Sequence, residues 1–293
     1  MSTTYTTKTG DTLTSIAAAY GTAPSTLAAW NPQLRPIAGQ VLTLSSAVII
    51  PPVTTYLFAD EFDGAAGSPI DSTKWAFDLG GPGAFGNNEL ETYTNSTANC
   101  YQDGASHLVI KALNPSMGVY TSARVTTNGK FATYGHTWEA SIKLDIQAGS
   151  KLSTPVGGTW PAWWFMGPGG WPKYGEIDAV EVFGNGTWAA ATTVWTPNAA
   201  ATDMVSTPQQ QAFSVDSGWH TWRMAVAEPG NGDITFSKDG VVYFTATPGA
   251  GWIYSSGNPL YTILNLAVGG SGGGTPNPLL FPVEMLVDYV HCF

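Results

Sequence analysis

The segment GEIDAVE places Glu176, Asp178 and Glu181 within six residues. Glu176, Ile177 and Asp178 alternate acidic, apolar and acidic, so in a strand the two acids share one face while Ile177 points into packing. Strict alternation would next expose Val180 and turn Glu181 to the opposite face, into the core. A β-bulge around Ala179 and Val180 repairs the parity and returns all three acids to one face. Like charges this close raise at least one pKa, a cost that a merely structural strand avoids. Glycoside hydrolysis uses such a set: one carboxylate attacks the anomeric carbon, and a second, kept protonated, donates to the leaving oxygen and later activates water. The third orients or tunes its neighbours. An inert acidic sheet face or a metal site is the competing reading of the same residues.

Trp160, Trp163 and Trp164 in TWPAWWF, and Trp171 in GGWPKYGEID, lie just upstream of the acids. Indole faces stack on the apolar faces of pyranose rings, but burying an indole in a core is also a large hydrophobic gain, so each Trp has both roles open to it. Trp160 and Trp164 share one strand parity and Trp163 the other, so at least one of the cluster packs inward.

The elements that must position these residues read as strands: LVIKA (108–112), TWEASIKL (137–144), EIDAVEVF (176–183), HTWRMAVA (220–227), ITFSKDGVVYFTA (234–246), YTILNLAV (261–268) and EMLVDYVHCF (284–293). Turns such as Lys238-Asp239-Gly240 separate them. Alternation with regular turns predicts a sandwich of two antiparallel sheets, and no long amphipathic helix follows residue 52. The composition agrees, since 43% of residues are hydrophobic and only 11% charged, with 34 Gly and 20 Pro to supply turns. A formal charge of −10 argues against a nucleic-acid groove, which needs clustered Lys and Arg, and favours a neutral substrate. No run of about 18 apolar residues predicts a membrane span, and MSTTYTTKTG lacks the apolar stretch of a secretion signal.

The two cysteines, Cys100 and Cys292, are candidates for a disulfide that would tie the C-terminal strand to an early one and imply an oxidising compartment; two buried free thiols are the alternative. His107, His136 and His291 show no metal-ligand spacing.

Residues 1–52 carry only Lys8, Arg35 and Asp11 as charged residues, a net +1 that leaves −11 for residues 53–293. The Pro51-Pro52 pair marks the boundary. Tyr5 to Lys8 reads as a short strand, and Asp11 or Thr12 caps a helix through Leu13, Ile16, Ala17 and Tyr20. A second helix through Leu27 and Trp30 ends at Asn31-Pro32, and a return strand follows around Val41 to Leu44. This βααβ segment resembles a LysM module: YTTKTGDTLTSIAAAYGT, LAAWNPQL and AGQVLTL carry its GDTL, NP and GQ landmarks. The resemblance implies binding of N-acetylglucosamine polymers, chitin or peptidoglycan, in a groove between the turn that runs from Gly10 through Asp11 and Thr12 to Leu13 and the stretch from Asn31 to Ile37.

From residue 56 onward the chain resembles glycoside hydrolase family 16. FADEFDG, GNNELETYT, DGASHLVIKA, YTSARVTTNGKF, WPAWWF, GEIDAVE, ILNLAVGG and MLVDYV occur in the family's order. The resemblance implies an all-β fold, a concanavalin-like jelly roll of two antiparallel sheets, preceded by the small LysM domain. The bulged E-x-D-x-x-E form is similar to that of the laminarinase-like members, retaining endo-β-1,3-glucan hydrolases. Position by position, it implies Glu176 as nucleophile, Glu181 as general acid/base and Asp178 as the residue that tunes the nucleophile. It also implies glycan contacts from Asn88, Arg124, Trp160 and Trp171; a turn cap and a structural ion pair are the alternatives for Asn88 and Arg124. A structural Ca2+ is implied at Glu61, Gly104 and Asp288, oxygen donors that suit this ion, with lone surface acids as the alternative. His220 in WHTW is implied to be a structural hydrogen-bonder. One departure stands out: many laminarinase-like members have His in the strand after the catalytic one, where this chain has Trp195. The expectation is therefore a monomeric wall-degrading enzyme, extracellular or cell-wall associated, or else a virion component, with no nucleic-acid or membrane partner. A family 16 enzyme on mixed-linkage glucan or galactan, a wall transglycosylase and a non-catalytic lectin-like wall binder are the competing readings.

Overall fold

A computed structural model describes residues 3–8, 11–20, 27, 31, 41–44, 56–144, 158–167, 169, 171, 175–185, 190–196, 208–226, 233–247 and 259–293. The chain forms two compact units, Met1–Thr55 and Tyr56–Phe293.

In the first unit, β1 (Thr3–Thr6) pairs antiparallel with β2 (Val41–Leu44), Tyr5 opposite Leu42. Between them lies α1 (Leu13–Ala19). Thr12 caps it in a reciprocal box: Ser15 N donates to Thr12 Oγ1 and Thr12 N to Ser15 Oγ, both at 3.0 Å. Asp11 accepts from Lys8 N and from Tyr5 Oη, each at 2.7 Å, which fixes the turn into the helix. Ile16, Ala17, Leu27 and Leu42 bury together, with Tyr5 and Tyr20 packed edge to face at 5.4 Å. Gly10, Pro51-Pro52 and, apart from Leu27 and Asn31, the second helix and the stretch from Asn31 to Ile37 lie outside the described residues.

The second unit begins with β3 (Phe58–Asp60), β4 (Ala76–Phe77), β5 (Glu91–Tyr93), β6 (Cys100–Gln102), β7 (Leu108–Ser116), β8 (Val119–Ser122), β9 (Arg124–Thr126) and β10 (Thr137–Leu144). It continues through β11 (Thr159–Met166), β12 (Glu176–Glu181), β13 (Ala191–Trp195), β14 (Gln209–Ala212), β15 (Trp219–Val226), β16 (Ile234–Lys238), β17 (Val241–Ala246) and β18 (Tyr261–Val268). A four-residue helix, α2 (Gly270–Gly273), then precedes β19 (Val283–Cys292). One sheet runs β14-β13-β12-β11-β18-β9-β4, antiparallel throughout. The other runs β17-β16-β15-β10-β19-β7-β8-β5, with β3 added on β19 and β6 on β7. This is the two-sheet sandwich expected from the alternating segments.

Alternation decides what fills the sandwich. Trp163 and Phe165 of β11, Ile177 and Val180 of β12 and Leu264 of β18 point into one core with Trp138 and Ile142 of β10 and Met285 and Val287 of β19. Trp138 meets Phe165 at 5.5 Å between centroids, one contact that ties the sheets together. Trp163 is the member of the tryptophan cluster that packs inward, and its indole nitrogen is satisfied by Thr262 Oγ1 at 2.8 Å. His220 sits in the other sheet, on β15, held by Asp239 at 2.7 Å and Asp216 at 3.1 Å. It is a structural hydrogen-bonder.

The candidate disulfide is not formed, and the alternative of two buried free thiols holds. Cys100 and Cys292 are both free and buried. Cys100 lies opposite Ile110, which lies opposite Met285, whereas Cys292 is at the far end of β19 opposite Trp138. Seven strand positions, about 23 Å, separate the two levels, several times the span a disulfide bridges. Burial instead pushes both thiols up to about 12, which keeps them protonated.

Candidate functional site

The register of β12 brings its three acids together. On β11, Met166 opposes Glu176, Trp164 opposes Asp178, and Ala162 opposes Glu181. Those three β11 positions share one parity, so the acids share the face turned away from the core. Between them Trp163 opposes Val180, and Ala179 is the extra residue: the pairing shifts between Trp163 and Trp164, and again towards β13 between Asp178 and Glu181. This is the bulge that the parity of GEIDAVE demands. Without it, Glu181 would point among Trp163, Phe165 and Trp138.

Neighbouring side chains cover the acids. Asp178 is 2% exposed and Glu181 9%. Burial is the first cause that raises all three pKa values: Glu176 to about 7, Glu181 to about 8, and Asp178 well above the carboxylate range. For Glu181 and Asp178 the charges of the neighbouring acids add to burial. Glu176 is relieved by a hydrogen bond with Asp178 and by the Arg124 charge. Glu181 is relieved by hydrogen bonds from Trp160 and Thr193 and with Asp178. The group therefore holds fewer than three negative charges at neutral pH. Asp178 Oδ2 is buried with no hydrogen-bond partner.

The indoles frame this face. Trp160 donates from Nε1 to Glu181 Oε1 at 3.0 Å. Its ring lies against Gly272 of α2, where any Cβ would overlap the indole, so only glycine admits Trp160 here. Trp164 donates to Asn265 Oδ1 at 2.7 Å, and Asn265 Nδ2 donates to Tyr93 Oη at 3.1 Å. Arg124 is sandwiched between Phe85 and Trp164, at 4.4 and 4.7 Å, and pairs with Asp78 at 2.9 Å. It acts in the structure as an ion-pair partner and a fixed positive charge. Trp195 stands opposite Glu176 and hydrogen-bonds Asp178, which favours the ionised form of that acid.

Asn88 is exposed, with a positive φ of 60°, on a loop joined to α2 by Ser271 N to Asn87 O at 3.0 Å. It therefore flanks the turn that receives Trp160. Trp171 is 55% exposed. In the first unit Thr12 is engaged in the helix cap and Asp11 in the turn before it, and Asn31 Nδ2 donates to Leu27 O at 2.9 Å. In the other sheet, Glu61 bonds His291 at 2.6 Å, and Asp288 has its pKa raised by burial and by Glu61. Among the described residues no three metal-ligating side chains cluster. A cation there would rest on these two carboxylates and on backbone carbonyls such as that of Gly104, hard oxygen donors of the kind that suit Ca2+, and would compete with His291 for Glu61. Thr193, Gln210, Asn265, Tyr93 and Gly272 were not legible as site residues. Their only signal is polar or small character at a parity that becomes meaningful once the register is known.

A β-sandwich that gathers three buried carboxylates on one face, beside half-buried indoles, is the scaffold of a glycoside hydrolase. The model of the XgeA-like catalytic GH16 domain matches residues 88–236, and that of the LysM domain matches residues 5–45. A beta-glucanase of Rhodothermus marinus is 33% identical over 81% of this chain and 84% of its own length. Glucan endo-1,3-beta-glucosidase A1 of Niallia circulans is 31% identical over 81% of this chain, which spans 37% of that relative. The crystal structure of a beta-1,3-glucanase from Mycobacterium marinum superposes with a TM-score of 0.65 at 37% identity, over 82% of this chain and 100% of that one. The chain belongs to glycoside hydrolase family 16 and carries a LysM domain before the catalytic domain.

The raised acids make stability fall as pH rises. Glu91 is the clearest case: buried, accepting from Val268 N at 2.7 Å, and raised to about 7 by desolvation. Between its ordinary value near 4.5 and about 7, the folded chain holds a proton that the unfolded chain releases. Its contribution is thus full below about 4.5 and is lost by about 7, up to about 3 kcal/mol for one such group. Thermal unfolding of Glu91→Gln should show a smaller fall in Tm from pH 5 to pH 8 than the parent shows. Equal falls would contradict a neutral buried Glu91.

Proposed function

We propose that this chain is a retaining endo-β-1,3-glucan hydrolase directed to N-acetylglucosamine-containing wall material by its LysM domain. The bulge of β12 is the observation that carries the catalytic assignment, because it delivers Glu176 and Glu181 to one face with Asp178 between them. Glu176, the lower of the two glutamates and the one nearer the Arg124 charge, is the nucleophile that attacks the anomeric carbon. Glu181, held higher, keeps its proton at neutral pH and gives it to the leaving glycosidic oxygen. It then takes a proton from the water that hydrolyses the glycosyl-enzyme. Asp178 hydrogen-bonds Glu176 and adjusts its charge. The bulged spacing and the β-1,3 activity named for two of the relatives support a β-1,3-glucan over a mixed-linkage glucan or a galactan. The complete set of acids supports hydrolysis over lectin-like binding.

Glu176→Gln and Glu181→Gln should each lower laminarin hydrolysis by at least about a thousandfold with the fold retained. The parent should release oligosaccharides from laminarin faster than from mixed-linkage glucan, galactan or chitin. Parent-like digestion by both variants would refute the mechanism, and a preference for another polymer would refute the substrate.

The LysM domain binds chitin or peptidoglycan in this reading, which places the enzyme outside the cell or at the wall. Full-length protein carrying Glu176→Gln should pellet with chitin more than with cellulose; equal retention would remove the targeting role. Ca2+ held by Glu61, Asp288 and the Gly104 carbonyl would neutralise the two carboxylates and stiffen the outer edge of β3 and β19. Chelation should lower Tm, Ca2+ should restore it, and Asp288→Asn should abolish the difference. An unchanged Tm in the parent would exclude the ion.

A further inference from the structure

Each oxygen of the acid/base carboxylate needs a defined partner, and on one side that partner is an indole. Trp160 Nε1 reaches Glu181 Oε1 at 3.0 Å from β11. On the other side lies β13. There Thr193 opposes Asp178, and Ala191 opposes Glu181, so Thr193 stands on the same face diagonal to Glu181. Beyond β13, Gln210 of the edge strand β14 opposes Thr193 and donates from Nε2 to Thr193 Oγ1 at 3.0 Å.

We propose that Thr193 and Gln210 are positioning residues for the acid/base: Gln210 occupies the acceptor side of the Thr193 hydroxyl, so that its single proton is directed at Glu181. The inference rests on the acid/base reading of Glu181 given above. A hydroxyl has one hydrogen and two lone pairs. With an amide N–H filling a lone pair, the hydroxyl is left to donate, and Glu181 is the acceptor beside it. Thr193 is 1% exposed, so water does not take its place. Gln210 is half-buried at the sheet edge and carries no charge.

The consequence is a carboxylate clamped by two donors, Trp160 N–H and Thr193 O–H, both of which favour its ionised form. Burial and Glu176 favour the protonated form. A retaining enzyme needs both forms of one carboxyl group in turn, the acid for glycosylation and the base for deglycosylation. The clamp keeps the second form accessible and holds the carboxyl in one orientation through the exchange. Among the described residues facing Glu181, only Glu176 and Asp178 titrate. From β11 and β13 come Trp160, Ala162, Trp164, Ala191, Thr193 and Trp195, none of which does, and the Arg124 charge reaches Glu176.

The test is the pH profile of kcat/KM on laminarin for Thr193→Val, Thr193→Ser and Gln210→Leu, with Tm recorded for each. Thr193→Val removes a donor to the ionised form, so the alkaline limb should move up by about one pH unit and kcat should fall about tenfold. Thr193→Ser should return both to the parent values. Gln210→Leu should move the limb the same way by less, and its edge position makes it informative even if Thr193→Val folds poorly. Glu181→Gln, assayed on laminarin and on a dinitrophenyl β-glucan oligosaccharide that needs no acid assistance, separates the two claims. Loss on laminarin alone upholds the acid/base reading, and an unmoved limb in Thr193→Val and Gln210→Leu then overturns the positioning role by itself. Equal loss or equal retention on both substrates overturns the acid/base reading and the clamp together.

Discussion

At the spacing of Glu176, Asp178 and Glu181, three carboxylates share one face of a strand only where the two-residue period is broken, and here it is broken by Ala179. The residues on either side obey the ordinary rule: Ile177 and Val180 enter the core while Glu176 and Asp178 face away. The extra residue turns Glu181 outward and leaves the core alternation intact. Core packing and chemistry are therefore coupled at one position. Because Trp163 and Phe165 fill the space beneath, the strand cannot slip back by one residue without placing a carboxylate against two aromatic rings, which would leave a buried charge unpaired.

Outward placement alone would leave the acids in water with ordinary pKa values. What makes them useful is cover. Trp160, Trp164 and Trp195 are half-buried around them, and each has its nitrogen engaged: Trp160 with Glu181, Trp164 with Asn265, Trp195 with Asp178. An indole supplies a large apolar surface that desolvates a carboxyl and one donor that favours its anion. These opposing effects act on the same groups, so the final charge state is set by geometry. Gly272 belongs to this balance, since the donor to Glu181 reaches its place only because the turn beneath it has no side chain.

Much of this was legible in the sequence because it is local. The parity break in GEIDAVE required the bulge, the TWPAWWF parity required an inward tryptophan, and Asp11-Thr12 ahead of an apolar helical repeat marked a cap, which Thr12 supplies. What was not legible depends on register. Trp164 and Asn265 are 101 residues apart, Tyr93 and Asn265 are 172 apart, and nothing within ATTVW or QQQA indicates that Thr193 and Gln210 meet. The disulfide failed for the same reason. Cysteine count and strand assignment allowed it, but the level at which β6 and β19 lie across the sheet did not.

The departure at Trp195 has a definite physical meaning in this setting. An imidazole beside Asp178 would donate, accept and titrate near neutral pH, adding a charge that comes and goes among three acids. An indole donates only and never titrates. Its N–H thus supports ionised Asp178 equally at pH 5 and pH 8, and the neighbouring positive charge, Arg124, is equally constant, pinned by Asp78 between two rings. Every change of charge among the described residues around β12 is then a change in the carboxylates themselves. With fixed donors and a fixed cation, the order in which Glu176 and Glu181 lose their protons follows from burial and from their partners, and that order is what the proposed division into nucleophile and acid/base requires.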